Sequence, residues 1–179
     1  MEIHKIAHNK LVGGAVLAAL SALIMYVSIP IIPGFTFLKL DISDVIIVIA
    51  FFAYGYSTGL LTAFCKILLH WVLTGMNVTS LIGDFSAFLS TIAFVLPLVY
   101  FWKKDRYHLI ALLMATLCLT TVMSIANYFF VMPLYMKVLN FNINMPISRY
   151  VAIGVIPFNL IKGIVLSLIS ILIVKHLRG

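Results

Sequence analysis

Charge is what this chain has least of. Asp, Glu, Lys and Arg together make up 9% of its 179 residues, against about a quarter in a soluble globular domain. Acidic residues are the rarest: five, against twelve Lys and Arg. Hydrophobic residues fill 64% of the chain and its mean hydropathy is +1.18. A chain of this composition is an integral membrane protein. No hydrophilic stretch is long enough for a soluble domain, and the glycine-lysine pattern of a phosphate-binding loop is missing, so nucleotide chemistry must come from another chain. The two cysteines, Cys65 and Cys118, both lie inside apolar runs and imply no disulfide framework. A membrane protease would need a Gly-x-Ser-x-Gly motif or a Gly-Asp pair set against a second Asp. Neither stands out, so the sequence gives no support for an enzyme. No convincing cleavage site follows the first apolar run, which is therefore expected to belong to the body of the protein.

The formal net charge of +7 could point to nucleic acid, but the placement of the charges argues otherwise. Basic residues gather near the ends, at Lys5, Lys10, Lys175 and Arg178, and in the cluster Lys103-Lys104-Asp105-Arg106. This is the pattern of membrane orientation, and it places both termini and that loop in the cytoplasm, with no nucleic-acid partner.

Six apolar runs organise the chain: Leu11 to Ile29, Val45 to Ala53, Leu60 to Leu73, Gly83 to Trp102, Leu109 to Val131 and Val151 to Val174. At roughly 20 residues per crossing, they predict an all-α bundle of six transmembrane helices, one domain over 1–179. Pro30, Pro33 and Gly34 end the first run, Gly55 and Gly59 bracket a turn, and Met132-Pro133 opens a long outer connection reaching Arg149. On the first helix, Gly14, Ala18 and Ala22 recur every four positions, as do Ala15 and Ala19. Small residues at this spacing admit a close helix neighbour, either within the protein or from a partner subunit.

The polar residues inside apolar runs are the candidate site. Lys162 and Asn159 share a face of the last helix. A charge near mid-bilayer costs roughly 2.5–3.5 kcal/mol on insertion scales, so Lys162 needs a cavity, a partner or a ligand. Lys66 and His70 share a face of the third helix, and Lys66 is expected to reach an acidic partner such as Asp84, or to face a polar cavity or the cytoplasmic assembly. Ser43 and Asp44 read as helix caps, and capping also competes for Asp84. Asp41 is left for an ion pair with Lys39 or for the entrance of a site. A metal site from Asp41, Asp44 and His70 is weakly supported, because carboxylates three apart are common at helix starts. Asp41, Asp84, Asn127, Asn159 and Lys162 fall toward the outer halves of helices or in outer connections. With 13% aromatic residues, they describe an outward-facing pocket for a small, planar molecule.

Phe37-Leu38-Lys39-Leu40-Asp41-Ile42-Ser43-Asp44, Lys66-x-x-x-His70, Gly83-Asp84-Phe85, Asn127-Tyr128-Phe129 and Pro157-Phe158-Asn159-Leu160-Ile161-Lys162 occur in this order along nearly the whole chain. Together they resemble a riboflavin-specific S component of energy-coupling factor (ECF) transporters. The resemblance implies a six-helix membrane subunit that binds riboflavin near the extracellular side as transported ligand, without a cofactor. It also implies partners: a transmembrane coupling subunit, two cytoplasmic ATPases and membrane lipid. Carried over by motif, Asn127, Asn159 and Lys162 would meet the polar edge of the flavin, with Tyr128 and Asp84 in the ligand-binding set. Asp84 stands where relatives usually carry Glu. Phe37, Leu38 and Leu40 would wall the ligand from the loop side. The face of Gly14, Ala15, Ala18, Ala19 and Ala22 would meet the coupling subunit. An S component for another vitamin, or a stand-alone membrane carrier, are the alternatives.

Overall fold

A computed structural model describes residues 2–102, 108–140 and 143–178. The chain is helical apart from one short hairpin. Helix α1 (Glu2–Tyr26) leads into strands β1 (Ile29–Pro30) and β2 (Lys39–Leu40), which pair antiparallel with Ile29 opposite Leu40. Helices α2 (Asp44–Tyr54), α3 (Tyr56–Leu73), α4 (Val78–Trp102) and α5 (His108–Ala126) follow. A π-helical turn (Asn127–Val131) joins α5 to α6 (Met132–Leu139). Helix α7 (Ile147–Tyr150), a second π turn (Val151–Val155) and α8 (Ile156–Arg178) complete the chain. The basic cluster Lys103 to Arg106, on which the expected orientation rests, lies outside the described residues.

Among the described residues, five helical stretches are long and apolar enough to cross a membrane: Asn9–Tyr26, Tyr56–Leu73, Val78–Trp102, His108–Leu139 and Ile147–Val174. The second expected crossing, α2, has only 11 residues, about 17 Å at 1.5 Å per residue against a hydrocarbon core of roughly 30 Å. It is the shortest of the six apolar segments and lies at the centre of the bundle. Val45, Ile46, Ile47, Val48, Ala50 and Phe51 are all buried, as befits a helix apolar on every side. Their partners include Phe94, Val95 and Leu98 of α4 and Ala115 and Leu119 of α5. Because α2 is half-length, its first residue, Asp44, lies inside the bundle.

Several expected boundaries move. Gly55 does turn the chain between α2 and α3, in a conformation (φ +90°) that favours glycine. Gly59 ends no turn: it is inside α3, where a Cβ would collide with the Phe51 ring. The connection expected from Met132 is largely helix. Pro133 falls at the start of α6, where its missing N–H costs nothing, so helical structure runs on to Leu139.

The small face of α1 divides. Gly14, Ala18 and Ala22 are buried against the protein's own helices, with Thr58 and Thr62 of α3 closest to Gly14. Thr62 Oγ1 lies 3.3 Å from the Gly14 carbonyl that accepts from it. Ala15 and Ala19 face outward. The loop between the strands lies over a second apolar cluster that includes Val131, Met132, Tyr150 and Phe158. The Phe35 ring rests directly on the bare Cα of Gly154 and packs on Tyr150 at 5.3 Å, while Phe37 packs on Tyr135 at 4.8 Å.

Candidate functional site

Asp44, at the start of α2, is the hub of a buried charge cluster. Its Oδ1 accepts from Lys66 Nζ at 2.7 Å and from the Thr91 hydroxyl, and its Oδ2 lies 2.9 Å from Lys162 Nζ. Lys162 also donates to Ser90 Oγ at 3.1 Å and lies 3.9 Å from Asp41. Lys66 and Asp44 are each 1% exposed and Lys162 is 4% exposed. Two lysines and two aspartates thus neutralise one another, the arrangement that makes buried charge tolerable. The capping role read for Asp44 does not hold, because its carboxylate is engaged by cations from α3 and α8. Lys66 finds Asp44, not Asp84. Asp41 does not pair with Lys39: it accepts from the Ser43 backbone N–H and hydroxyl and faces Lys162. No cluster of metal-ligating residues occurs among the described residues.

Beside this cluster is a cavity of about 800 Å³, within the usual range for small-molecule sites. Its floor includes Met123, Asn127, Phe158, Asn159, Lys162 and Ser90, its loop side includes Phe37, Leu38 and Asp41, and its α3–α4 end includes His70, Thr74, Asn77, Ser80 and Asp84. Of the residues expected to hold a ligand, the cavity brings together Asn127, Asn159, Lys162, Asp84, Phe37 and Leu38. Two fall elsewhere. Leu40 is half-buried in β2, paired with Ile29. Tyr128 is 43% exposed on the outer surface, its ring against Phe129. One step along the π turn carries its side chain away from the face that Asn127 presents.

The two asparagines are held alike. Asn127 Nδ2 donates to the Met123 carbonyl and Asn159 Nδ2 to the Val155 carbonyl, each at 2.8 Å and each four residues back. Asn127 opens the first π turn and Val155 closes the second. π turns interrupt the regular ladder and recur at functional sites. Since a carbonyl accepts only, the amide nitrogens must face the backbone, which leaves each Oδ1 and one N–H for the cavity. Asp84 is no cap either. It is the seventh residue of α4, and its Oδ1 accepts from His70 Nδ1 at 2.6 Å.

A helical membrane bundle around a polar-lined cavity of ligand size defines a membrane-embedded binding protein. Residues 9–174 match the family model of the ECF transporter, substrate-specific component, and the chain belongs to that family, which is a transporter component and not an enzyme. It is 34% identical to the riboflavin transporter RibU of Streptococcus thermophilus, over 96% of this chain and 83% of the relative. The riboflavin transporter RibU of Staphylococcus aureus is 32% identical over 96% and 92%, and the riboflavin transporter FmnP of Bacillus subtilis is 31% identical over 95% and 92%. A solved S component of a bacterial ECF transporter superposes with a TM-score of 0.79 at 30% identity, covering 96% of both chains.

Signals for the charge cluster were present in the sequence but unpaired. Lys66 demanded a carboxylate, yet Asp84 is nearer in sequence than Asp44. Ser90 and Thr91 carry no sequence signal that separates them from other helix hydroxyls.

Proposed function

We propose that the 179 residues form a single substrate-binding domain that captures riboflavin from the extracellular side of a bacterial cell membrane. It passes the vitamin inward together with a coupling subunit and two ATPases. The observation that carries this reading is the pair of back-bonded asparagines beside Lys162. The flavin edge presents acceptor, donor and acceptor in a row: two ring carbonyls flanking an imide N–H. An Asn Oδ1 accepts from the imide. The spare amide N–H groups and the third Lys162 donor serve the carbonyls, since Asp44 and Ser90 engage the other two. Phe37, Tyr135, Tyr150 and Phe158 supply aromatic surface for the ring. The riboflavin transporters among its relatives support the same assignment. The excess of basic residues at the ends and at Lys103 to Arg106 supports cytoplasmic termini.

The chain purified alone should carry a yellow, fluorescent ligand, and riboflavin added to stripped protein should have its fluorescence quenched on binding. Asn159→Ala should weaken binding roughly two- to tenfold, the loss of one hydrogen bond of about 0.5–1.5 kcal/mol. Unchanged fluorescence at micromolar protein, with another vitamin binding instead, would end the riboflavin reading and leave the S-component fold standing.

The coupling surface is narrower than the sequence implied. With Gly14, Ala18 and Ala22 taken up inside the protein, Ala15 and Ala19 are what α1 offers to a partner helix. Ala15→Trp should abolish uptake by cells while the isolated chain binds riboflavin as before. Normal uptake by a well-expressed Ala15→Trp variant would remove that face from the proposal.

A further inference from the structure

Lys66 and His70 share a helix face, yet the fold gives them different neighbours: His70 lines the cavity and Lys66 does not. Lys66 is 1% exposed, in the middle of α3, and its ammonium meets Oδ1 of Asp44 at 2.7 Å. A full charge is thus buried out of the ligand's reach. Its effect reaches the cavity through Asp44, whose two oxygens are divided between two cations. Oδ1 takes Lys66 from α3 and the Thr91 hydroxyl from α4, and Oδ2 takes Lys162 from α8 at 2.9 Å. Lys162 has three N–H donors. One goes to Oδ2 and one to Ser90 Oγ at 3.1 Å. The third is left for the cavity that Lys162 lines. It is left because Asp41, at 3.9 Å, lies beyond hydrogen-bond distance, and because Oδ1 is already occupied.

We propose that Lys66 is a positioning residue for riboflavin recognition: by holding Oδ1 of Asp44 it keeps Lys162 on a single oxygen and leaves one ammonium donor for a ring carbonyl. This rests on the riboflavin reading above and deepens it. Without Lys66 the carboxylate has one full cation for two oxygens, an imbalance felt strongly where water is excluded. The two oxygens accept side by side, so the Lys162 ammonium moves into the fork between them and commits two donors there. Ser90 takes the third, and none remains for the flavin. The charge count agrees. Lys66 and Lys162 balance Asp41 and Asp44. With Lys66 gone the cluster carries a net negative charge, which draws Lys162 back from the ligand.

The test combines riboflavin titration of the purified, ligand-stripped full chain with vibrational spectroscopy of the bound flavin. Lys66→Met should bind riboflavin about tenfold more weakly, the loss of a hydrogen bond from a charged donor. At saturating riboflavin, a ring-carbonyl stretch should rise to its frequency in Lys162→Met, because the same donor has left the oxygen. Lys66→Met combined with Asp44→Asn should bring both readings back toward wild type. The amide offers Lys162 one oxygen in place of two, its nitrogen can donate to the Thr91 hydroxyl, and Asp41 alone balances Lys162. If Lys66 only held the bundle together, removing a second member of the cluster would leave affinity as low or lower and the stretch unmoved. Lys66→Gln, which discards the charge but keeps an N–H for Oδ1, should fall between and serves if Lys66→Met does not fold. Wild-type affinity in the Lys66 variants, an unshifted carbonyl stretch, or no recovery in the double variant would overturn the role of Lys66. Wild-type carbonyl frequencies in Lys162→Met would remove Lys162 as the donor, and a wild-type chain that binds no riboflavin would end the riboflavin reading itself. The role of Lys66 falls with either.

Discussion

Asp44→Ala is expected to cost more stability than any other single change in the membrane interior. The carboxylate holds Lys66 at 2.7 Å and Lys162 at 2.9 Å, and removing it leaves two buried ammonium groups with only Asp41, 3.9 Å from Lys162, as counter-charge. Removing one partner from a buried ion pair costs about 3–5 kcal/mol. That is a large part of the roughly 5–15 kcal/mol by which folded proteins are stable. Lys66 is the more exposed to this loss, because its side chain emerges from the middle of α3 and has no other carboxylate within pairing distance among the described residues. The purified variant should therefore unfold well below the wild type in a thermal scan in detergent. Asp44→Ala with Lys66→Met should recover part of the loss, since one orphaned charge disappears along with its partner. A thermal midpoint of Asp44→Ala equal to wild type would show that the cluster does not hold the bundle together.

That cluster also marks where the sequence stops being legible. The long apolar stretches were plain from hydropathy, because each must bury or submerge some 18 residues or more. The central position of the short α2 was not, since a short apolar run carries no signal of what packs around it. Read only as the residue that opens an apolar run, Asp44 looks like a cap. Its place, buried between α3, α4 and α8, follows only from the packing. Asn127, Asn159 and Lys162 were legible for the opposite reason: polar groups in an apolar run must converge on something. Tyr128 and Leu40 came into the expected site with the motifs carried over from the resemblance, and here a π turn and a strand pairing place them outside the cavity. The small residues of α1 show the same limit, because spacing reveals a close contact without saying which side of the helix the partner is on. His70 became interpretable only when α3 and α4 brought it against Asp84.

Lys162→Met is expected to separate binding from stability. The replacement keeps the length of the side chain but removes the charged donor that lines the cavity together with the two asparagines. Lys66 remains bonded to Asp44, so the hub keeps one full ion pair and the Thr91 hydrogen bond. Asp41 loses its counter-charge, so the thermal midpoint should fall, but by less than in Asp44→Ala. Binding should weaken sharply. A hydrogen bond from a charged donor contributes about 1.5–3 kcal/mol, so riboflavin affinity should fall roughly ten- to a hundredfold, and the chain purified from cells should lose its colour. Lys162→Arg should fail to restore it, because a planar guanidinium cannot place single donors on Asp44, Ser90 and a ring carbonyl in three directions at once. Asn142→Ala, outside the described residues, provides a near-neutral control. Riboflavin titrations and thermal scans on the same preparations give both quantities. Wild-type affinity in Lys162→Met would leave Lys162 a purely structural cation and move the recognition of the flavin edge onto the asparagines alone.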